Sequence, residues 1–562
     1  MAIEAKPVHP AAVLPGENPF AEGKGEIGPI VVTIHVDDRL RMPLDDLSEA
    51  AADAICVAFM YRNPEFAKAK AFGFRGKIPW FIATYRRGNG ELSVPRGGIG
   101  KVRFILREHG LDWSVVDRRA CPPAQDRFPP SRVTLYPFQE RMVCAAMAKQ
   151  NLLWRCPQGG GKTTAALEFI RRIGMPALVV VGSGTLLEQW TRRAQLDLGM
   201  ALRDVGVIGA GKNRRGLLTI GMAQTLTRRV DELRGLFGTV VQDEVQTAGA
   251  ASFQNVVDHL DAKYRLGVSG DERRADHKEF LVYDQFGEVG CEVTRDELET
   301  EGFILPVEVR VVLTDYGCPW WLALAAQPAR RGESEEQRRQ RVLRERMDRQ
   351  VEFVTELTQD VKRNALVVGL AAQAIEEAGQ VIVLSARREH CHSLDSQIQG
   401  SGLSSGLLIG GEDYADQFAD TLRRFVAGDA RAAVGTYQAI GVGFDVPQAA
   451  RGVFATPVAN SRDGAQQFRQ FLGRFARRYE GKQDAAVYYL LDVNVFGLGP
   501  LRNLLRWCRR VMVETPDGGM MDAKEFLHAQ TRRDDSGGDD GSGDLELGGG
   551  VLLGAGDGSG GE

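Results

Sequence analysis

The sequence has no CxxC pair. Its eight cysteines, Cys56, Cys121, Cys144, Cys156, Cys291, Cys318, Cys391 and Cys508, are scattered, which argues against a zinc ribbon or a disulfide framework and points to a reducing cytoplasm. No apolar run approaches the roughly 18 residues a membrane span requires. The stretch from Met1 to Phe20 is rich in Pro and Ala and lacks the continuous apolar segment of a secretory leader. No period of about 20 to 50 residues repeats, so a solenoid is not expected. His390-Cys391-His392 carries metal-ligand residue types. Adjacent side chains of an extended segment point to opposite faces, however, so no metal site is expected there.

The chain has 562 residues, too many for one hydrophobic core, with 43% hydrophobic and 26% charged residues, as in ordinary globular proteins. Its net charge of −4 is unevenly distributed. The last 29 residues, from Asp534, hold six Asp, two Glu and no basic residue, a contribution of −8 that leaves +4 on the rest. A mildly basic body is compatible with phosphate-backbone partners. The acidic, Gly- and Ser-rich end buries too little apolar surface to offset chain entropy and reads as a disordered tail. Ala120 to Pro130 carries four prolines and reads as a linker. The expected domains are 1–130 (N-terminal accessory region and linker), 131–305, 306–515 with a helical insertion at about 318–355, and a tail at 516–562.

Beyond the linker, short β-branched runs alternate with helical patterns. Ala177 to Val181, Leu217 to Ile220 and Thr239 to Val241 have the continuous apolar character of buried parallel strands, with helices at Thr163 to Arg172 and Thr185 to Leu196. A second series follows at Val307 to Leu313, Val381 to Leu384, Ala432 to Val434, Val453 to Ala455 and Ala486 to Leu491. Two doubly wound parallel sheets, preceded by an α+β domain, account for this pattern. Arg330 to Arg349, dense in Arg, Glu and Gln, reads as one long exposed helix.

Three segments carry chemistry. In Asn151 to Thr164 an apolar run feeds Gly159-Gly160-Gly161, then Lys162, Thr163 and Thr164 open a helix. Glycines let the backbone approach phosphates, and N–H groups at a helix start face an anion. Lys162 neutralises β/γ-phosphates in such a loop and the Thr163 hydroxyl ligates Mg²⁺. Cys156 stands where the strict pattern has its first glycine. In Gly238 to Gln246 an apolar strand ends in Asp243, suited to a Mg²⁺ hydration shell, and Glu244, suited to orienting and deprotonating a water. In Gln467 to Arg478, Arg474 and Arg477 are three apart and share a helix face, as arginine fingers or as a basic nucleic-acid-facing surface.

Together these segments resemble superfamily 2 helicases of the DEAD/DEAH type, and within them the XPB-like and related phage branch. The order carries the resemblance: Leu135 to Gln139, Cys156 to Thr163 (motif I), Val181 to Trp190 (motif Ia), Ile220 to Leu226, Asp243 to Gln246 (motif II), Arg265 to Asp271 (motif III), Gln380 to Arg387 (motif IV), Gly435-Thr436 with Gly443 to Pro447 (motif V), and Gln470 to Arg477 (motif VI, QxxGRxxR). The resemblance covers about residues 131–495. Tyr61 to Phe66, continuing to Val94 to Gly97, resembles an accessory domain that precedes some phage helicases. Its aromatics, Phe59, Tyr61, Phe66, Trp80, Phe81 and Tyr85, form either a stacking platform or core.

The resemblance implies two RecA-like lobes, ATP and Mg²⁺ as cofactors, DNA as partner with RNA left open, and no membrane association. It implies that Gln139 contacts adenine, Asp445 the ribose, and Gln470, Arg474 and Arg477 the nucleotide from the second lobe. Motif II ends in Gln246 rather than His, and motif III reads Ser269-Gly270-Asp271 where Ser-Ala-Thr is usual. The resemblance ties motif III to strand separation, so ATP hydrolysis follows more directly than duplex unwinding. The expected activity is an ATP-dependent DNA helicase or translocase. The alternatives are an ATP-driven remodeller of branched DNA or RNA and a non-hydrolysing nucleic-acid clamp.

Overall fold

A computed structural model of the chain describes residues 31–66, 78–125, 127–245, 256–270, 276–441, 446–458, 462–515 and 518–536. Gln246, Asp271, Asp445 and nearly all of the acidic end lie outside these residues. Two compact units divide the chain at Glu297/Leu298.

Among the described residues the first unit contains two larger sheets and a two-stranded one. The N-terminal one has five strands in the order β5-β6-β2-β1-β7: β1 (Val31–Val36), β2 (Arg39–Pro43), β5 (Arg86–Gly88), β6 (Glu91–Pro95) and β7 (Asp112–Asp117). A short hairpin, β3 (Met60–Arg62) and β4 (Phe81–Ala83), lies beside it in sequence. Helices Glu49–Ala58 and Ile99–Glu108 complete a core of Val32, Ile34, Leu40, Ile55, Phe59 and Val94. The larger sheet has the order β11-β10-β12-β9-β13-β14-β8-β15. Its members are β8 (Asn151–Arg155), β9 (Ala177–Val181), β10 (Val205–Gly209), β11 (Lys212–Arg214), β12 (Leu218–Met222), β13 (Thr239–Asp243), β14 (Tyr264–Ser269) and β15 (Val289–Glu292). All neighbours are parallel except β10 and β11. Residues of β9 are buried on both faces, which is why that run carries no polar alternation.

Buried polar contacts join the two sheets. Arg96 is fully buried and donates to Asn151 Oδ1 (3.1 Å), Ala262 O (2.7 Å) and Asp37 O (3.1 Å). Arg265 of β14 donates to Leu260 O (2.8 Å) and Asp38 O (3.3 Å). Asp284 accepts from the Tyr61 hydroxyl (2.8 Å), Thr84 Oγ1 (2.6 Å) and Lys101 Nζ (3.0 Å). At Gly97 the backbones meet directly: a Cβ there would stand 2.3 Å from Gly287 N. The proline-rich linker is stapled rather than free, since Ala120 bridges to Ala262 and Gln125 N donates to Gly174 O (2.8 Å). Phe59 is core and Tyr61 stacks on Phe280, while Trp80 and Phe81 are exposed at 65% and 49%.

The second unit is built on a sheet ordered β18-β19-β17-β20-β21-β16-β22-β23. Its members are β16 (Val307–Thr314), β17 (Val381–Ser385), β18 (Ser405–Leu408), β19 (Ala432–Thr436), β20 (Arg451–Phe454), β21 (Ala485–Asp492), β22 (Val511–Glu514) and β23 (Met520–Asp522). Only the pairing of β22 with β23 is antiparallel. Each of the two large sheets is thus a doubly wound, RecA-like parallel sheet.

Two local expectations are corrected. Arg330 to Arg349 is not helical throughout. Ser334 and Gln337 form a capping box that starts a helix at Glu335–Asp348, and a separate helix follows at Gln350–Gln359. His390-Cys391-His392 is helical, not extended, within Arg388–Gly400. His390 is buried with Nδ1 2.8 Å from Ser385 Oγ and Nε2 2.8 Å from Asn364 Oδ1, and burial pushes its pKa down to about 3. It is a neutral structural imidazole.

Candidate nucleotide site

The strand order decides which sequence-distant residues meet. β8 ends at the glycine loop, β13 ends at Asp243, and β14 lies between them. Active groups of open parallel sheets gather at this carboxyl edge. Gly159 (φ +88°) and Gly161 (φ +69°) adopt the left-handed backbone that the loop needs before helix Lys162–Ile173. Cys156 is fully buried, its N–H bonded to Ser269 O at 2.9 Å, and burial raises its thiol pKa to about 11. Lys162 Nζ donates to Cys156 O at 3.0 Å. A Cβ on Gly270 would stand 3.7 Å from both Lys162 Nζ and Cys156 O, so motif III touches the glycine loop.

Asp243 is 6% exposed. Its Oδ2 accepts the Trp190 indole N–H at 2.8 Å and its Oδ1 the Glu244 N–H at 2.9 Å. Desolvation and then the charge of Glu244 raise its pKa to about 6, against the opposing effect of Trp190 and Lys162. Glu244 itself has φ +49°, a left-handed conformation that costs a non-glycine residue on the order of 1 kcal/mol or more and that clusters at functional sites.

Gln139 is buried at the start of helix Pro137–Lys149, where its Oε1 accepts from Tyr136 N (3.1 Å) and its Nε2 donates to Gly160 O (3.3 Å). It therefore rests on the glycine loop. Thr163 occupies the first helical turn and is half-buried. Thr164 faces inward and donates to Asp197 Oδ2 at 2.9 Å, so its hydroxyl supports helix packing. In the second unit, helix Arg462–Phe475 carries Gln470 and Arg474, and Arg477 follows it, bridged in antiparallel fashion to Ile304.

Trp190 was not among the candidate residues read from sequence. Its indole is buried and it sits 53 residues from Asp243. The one available signal was a Trp within motif Ia, a large polar-tipped ring that needs an acceptor when buried.

The residues fit Mg²⁺. Asp243, whose pKa is raised by burial and then by the neighbouring Glu244 charge, gains from a cation placed beside it. Among the described residues no group of three or more His, Cys, Asp or Glu could hold a metal. Mg²⁺, which keeps waters and takes one or two carboxylates beside substrate phosphates, suits so sparse a set.

A parallel sheet with a glycine loop, Lys162 and an Asp-Glu pair at one edge is a P-loop nucleotide-binding lobe. Residues 132–271 match the family described as type III restriction enzyme, res subunit. A probable helicase D10 of Escherichia phage T5 is 27% identical over 184 residues, 33% of this chain and 40% of its own length. A DNA 3'-5' helicase XPB of Mycobacterium tuberculosis is 29% identical over 170 residues, 28% of this chain and 31% of its own length. The chain therefore matches less than half of either relative. T4 UvsW aligns over 86% of this chain and 99% of its own, at 15% identity and a TM-score of 0.39. Over these matched segments the chain is similar to helicases of superfamily 2. Among the described residues no helix is long and apolar enough to cross a membrane.

Proposed function

We propose that the chain is a nucleic-acid-dependent ATPase that translocates along DNA or separates its strands. The meeting of Lys162, Gly270, Asp243 and Glu244 at one sheet edge supports this most strongly. In this reading the loop amides around Gly159 to Gly161 and the Lys162 ammonium bind the phosphates of ATP. Thr163 and Asp243 hold Mg²⁺, which supplies charge neutralisation on those phosphates. Glu244 orients the attacking water and takes its proton. Gln139 and Asp445 contact the base and ribose. Gln470, Arg474 and Arg477 stabilise the charge that develops on the transferred phosphoryl group. The matched relatives described as DNA 3'-5' helicases favour DNA as the partner.

Lys162→Ala and Glu244→Gln are each expected to abolish DNA-stimulated phosphate release, and full activity in either removes the assignment. A strand-displacement assay run beside a branch-migration assay separates unwinding from remodelling. ATP binding without phosphate release in the wild type would establish the clamp instead.

A further inference from the structure

Lys482 lies in the second unit, seven residues beyond the end of helix Arg462–Phe475, in a turn closed by its own N–H on Tyr479 O (3.0 Å). Its Nζ donates to three backbone carbonyls: Phe475 O (2.6 Å), Ala449 O (2.7 Å) and Pro447 O (3.0 Å). A lysine ammonium has three donors, and here all three are used. Phe475 ends the helix, where carbonyls lack partners along the chain and attract a positive charge. Pro447 and Ala449 belong to a different segment, the one that leads into β20. The two pieces already approach closely, since a Cβ on Gly452 would strike the Phe475 ring at 2.5 Å. Leu305 N takes the next carbonyl, that of Ala476, at 2.7 Å. Lys482 thus bolts the end of the arginine-bearing helix to the segment before β20.

We propose that Lys482 is a positioning residue: by tying Phe475 O to Pro447 O and Ala449 O it fixes where Arg474 and Arg477 stand, and so sets the rate of ATP turnover without touching substrate. This rests on the reading of Arg474 and Arg477 given above. The charged groups around it are Arg477 and Arg451, which oppose its proton, and Asp484, which favours it. With burial the dominant cause, they bring its pKa down to about 7.

The test uses the full chain, Mg-ATP and single-stranded DNA as stimulant. Lys482→Met keeps the length of the side chain and removes the donors. It is expected to lower kcat by about 10- to 100-fold while KM for ATP stays within about threefold. In the double variant with Arg477→Ala, turnover is expected to fall no further than in Arg477→Ala alone, because residues acting as one unit are not additive. Wild-type kcat in Lys482→Met beside an inactive Arg477→Ala overturns this inference alone. Additive losses do the same. Wild-type kcat in Arg477→Ala overturns the functional reading and this inference with it. If Lys482→Met does not fold, Lys482→Arg, whose guanidinium stays charged, decides by its pH profile. Wild-type kcat is expected to fall as pH rises through about 7 while the Arg variant holds its rate, and coincident profiles overturn the proposal.

Discussion

Trp190→Phe removes one hydrogen bond from a buried carboxylate and leaves most of the apolar ring area in place. The lost contact is the indole N–H on Asp243 Oδ2, 2.8 Å long. A hydrogen bond to a charged group contributes about 1.5–3 kcal/mol, and 1.36 kcal/mol corresponds to one pH unit, so the Asp243 pKa should rise by about one to two units. It starts from about 6, raised by burial and by Glu244. Trp190 acts in the opposite direction, so its removal moves the pKa further up. If the ionised form is the one that works, wild-type ATP turnover climbs with pH through this region. In a Lys482→Arg background, where the fall in rate above about pH 7 is removed, the Phe variant climbs at about 7 to 8 and recovers most of its rate by about pH 9. Phosphate release measured across that range at fixed Mg²⁺ reads the shift directly. Superimposable profiles, or a slowing of the same size at every pH, would refute the reasoning, since the first leaves Asp243 unperturbed and the second is only a packing loss.

Two other perturbations act on backbone geometry. Glu244→Gly relieves a left-handed residue (φ +49°) and is expected to raise the thermal midpoint while ending ATP hydrolysis; a lowered midpoint would count against strain at this position. Gly97→Ala puts a methyl group 2.3 Å from Gly287 N and 2.5 Å from Tyr283 O, both backbone atoms that cannot rotate away. It should cost about 1–3 kcal/mol in chemical denaturation and expose the region around Gly97 and Gly287 to limited proteolysis, and a neutral effect would show that the two sheets are not held by this contact.

How much was legible follows from range along the chain. β9 could be read because a strand buried on both faces needs an unbroken apolar run, and Ala177 to Val181 supplies one. The glycine loop was readable because all its parts lie within fourteen consecutive residues. Helix boundaries were less so. Arg330 to Arg349 is dense in charge, with Val342, Leu343 and Met347 its few large apolar residues, and the cap formed by Ser334 and Gln337 shows where the helix begins. No metal site was expected at His390, but that Ser385 and Asn364 take both its ring nitrogens was not legible in the sequence.

By itself the sequence determined the two series of buried strands, the glycine loop that opens onto Lys162, and the order of motifs along the chain, since each depends on residues close together in the chain and on burial that composition records. Tertiary structure alone decided that β14 runs between β13 and β8, bringing Gly270 against Lys162. It also decided that Trp190 holds Asp243, that Arg96 and Asp284 join the N-terminal sheet to the nucleotide lobe, and that Lys482 gathers three carbonyls from two segments. These contacts join residues far apart in the chain or bind backbone carbonyls. A carbonyl is present at every position, so which one a buried cation finds is settled only when strand order is set.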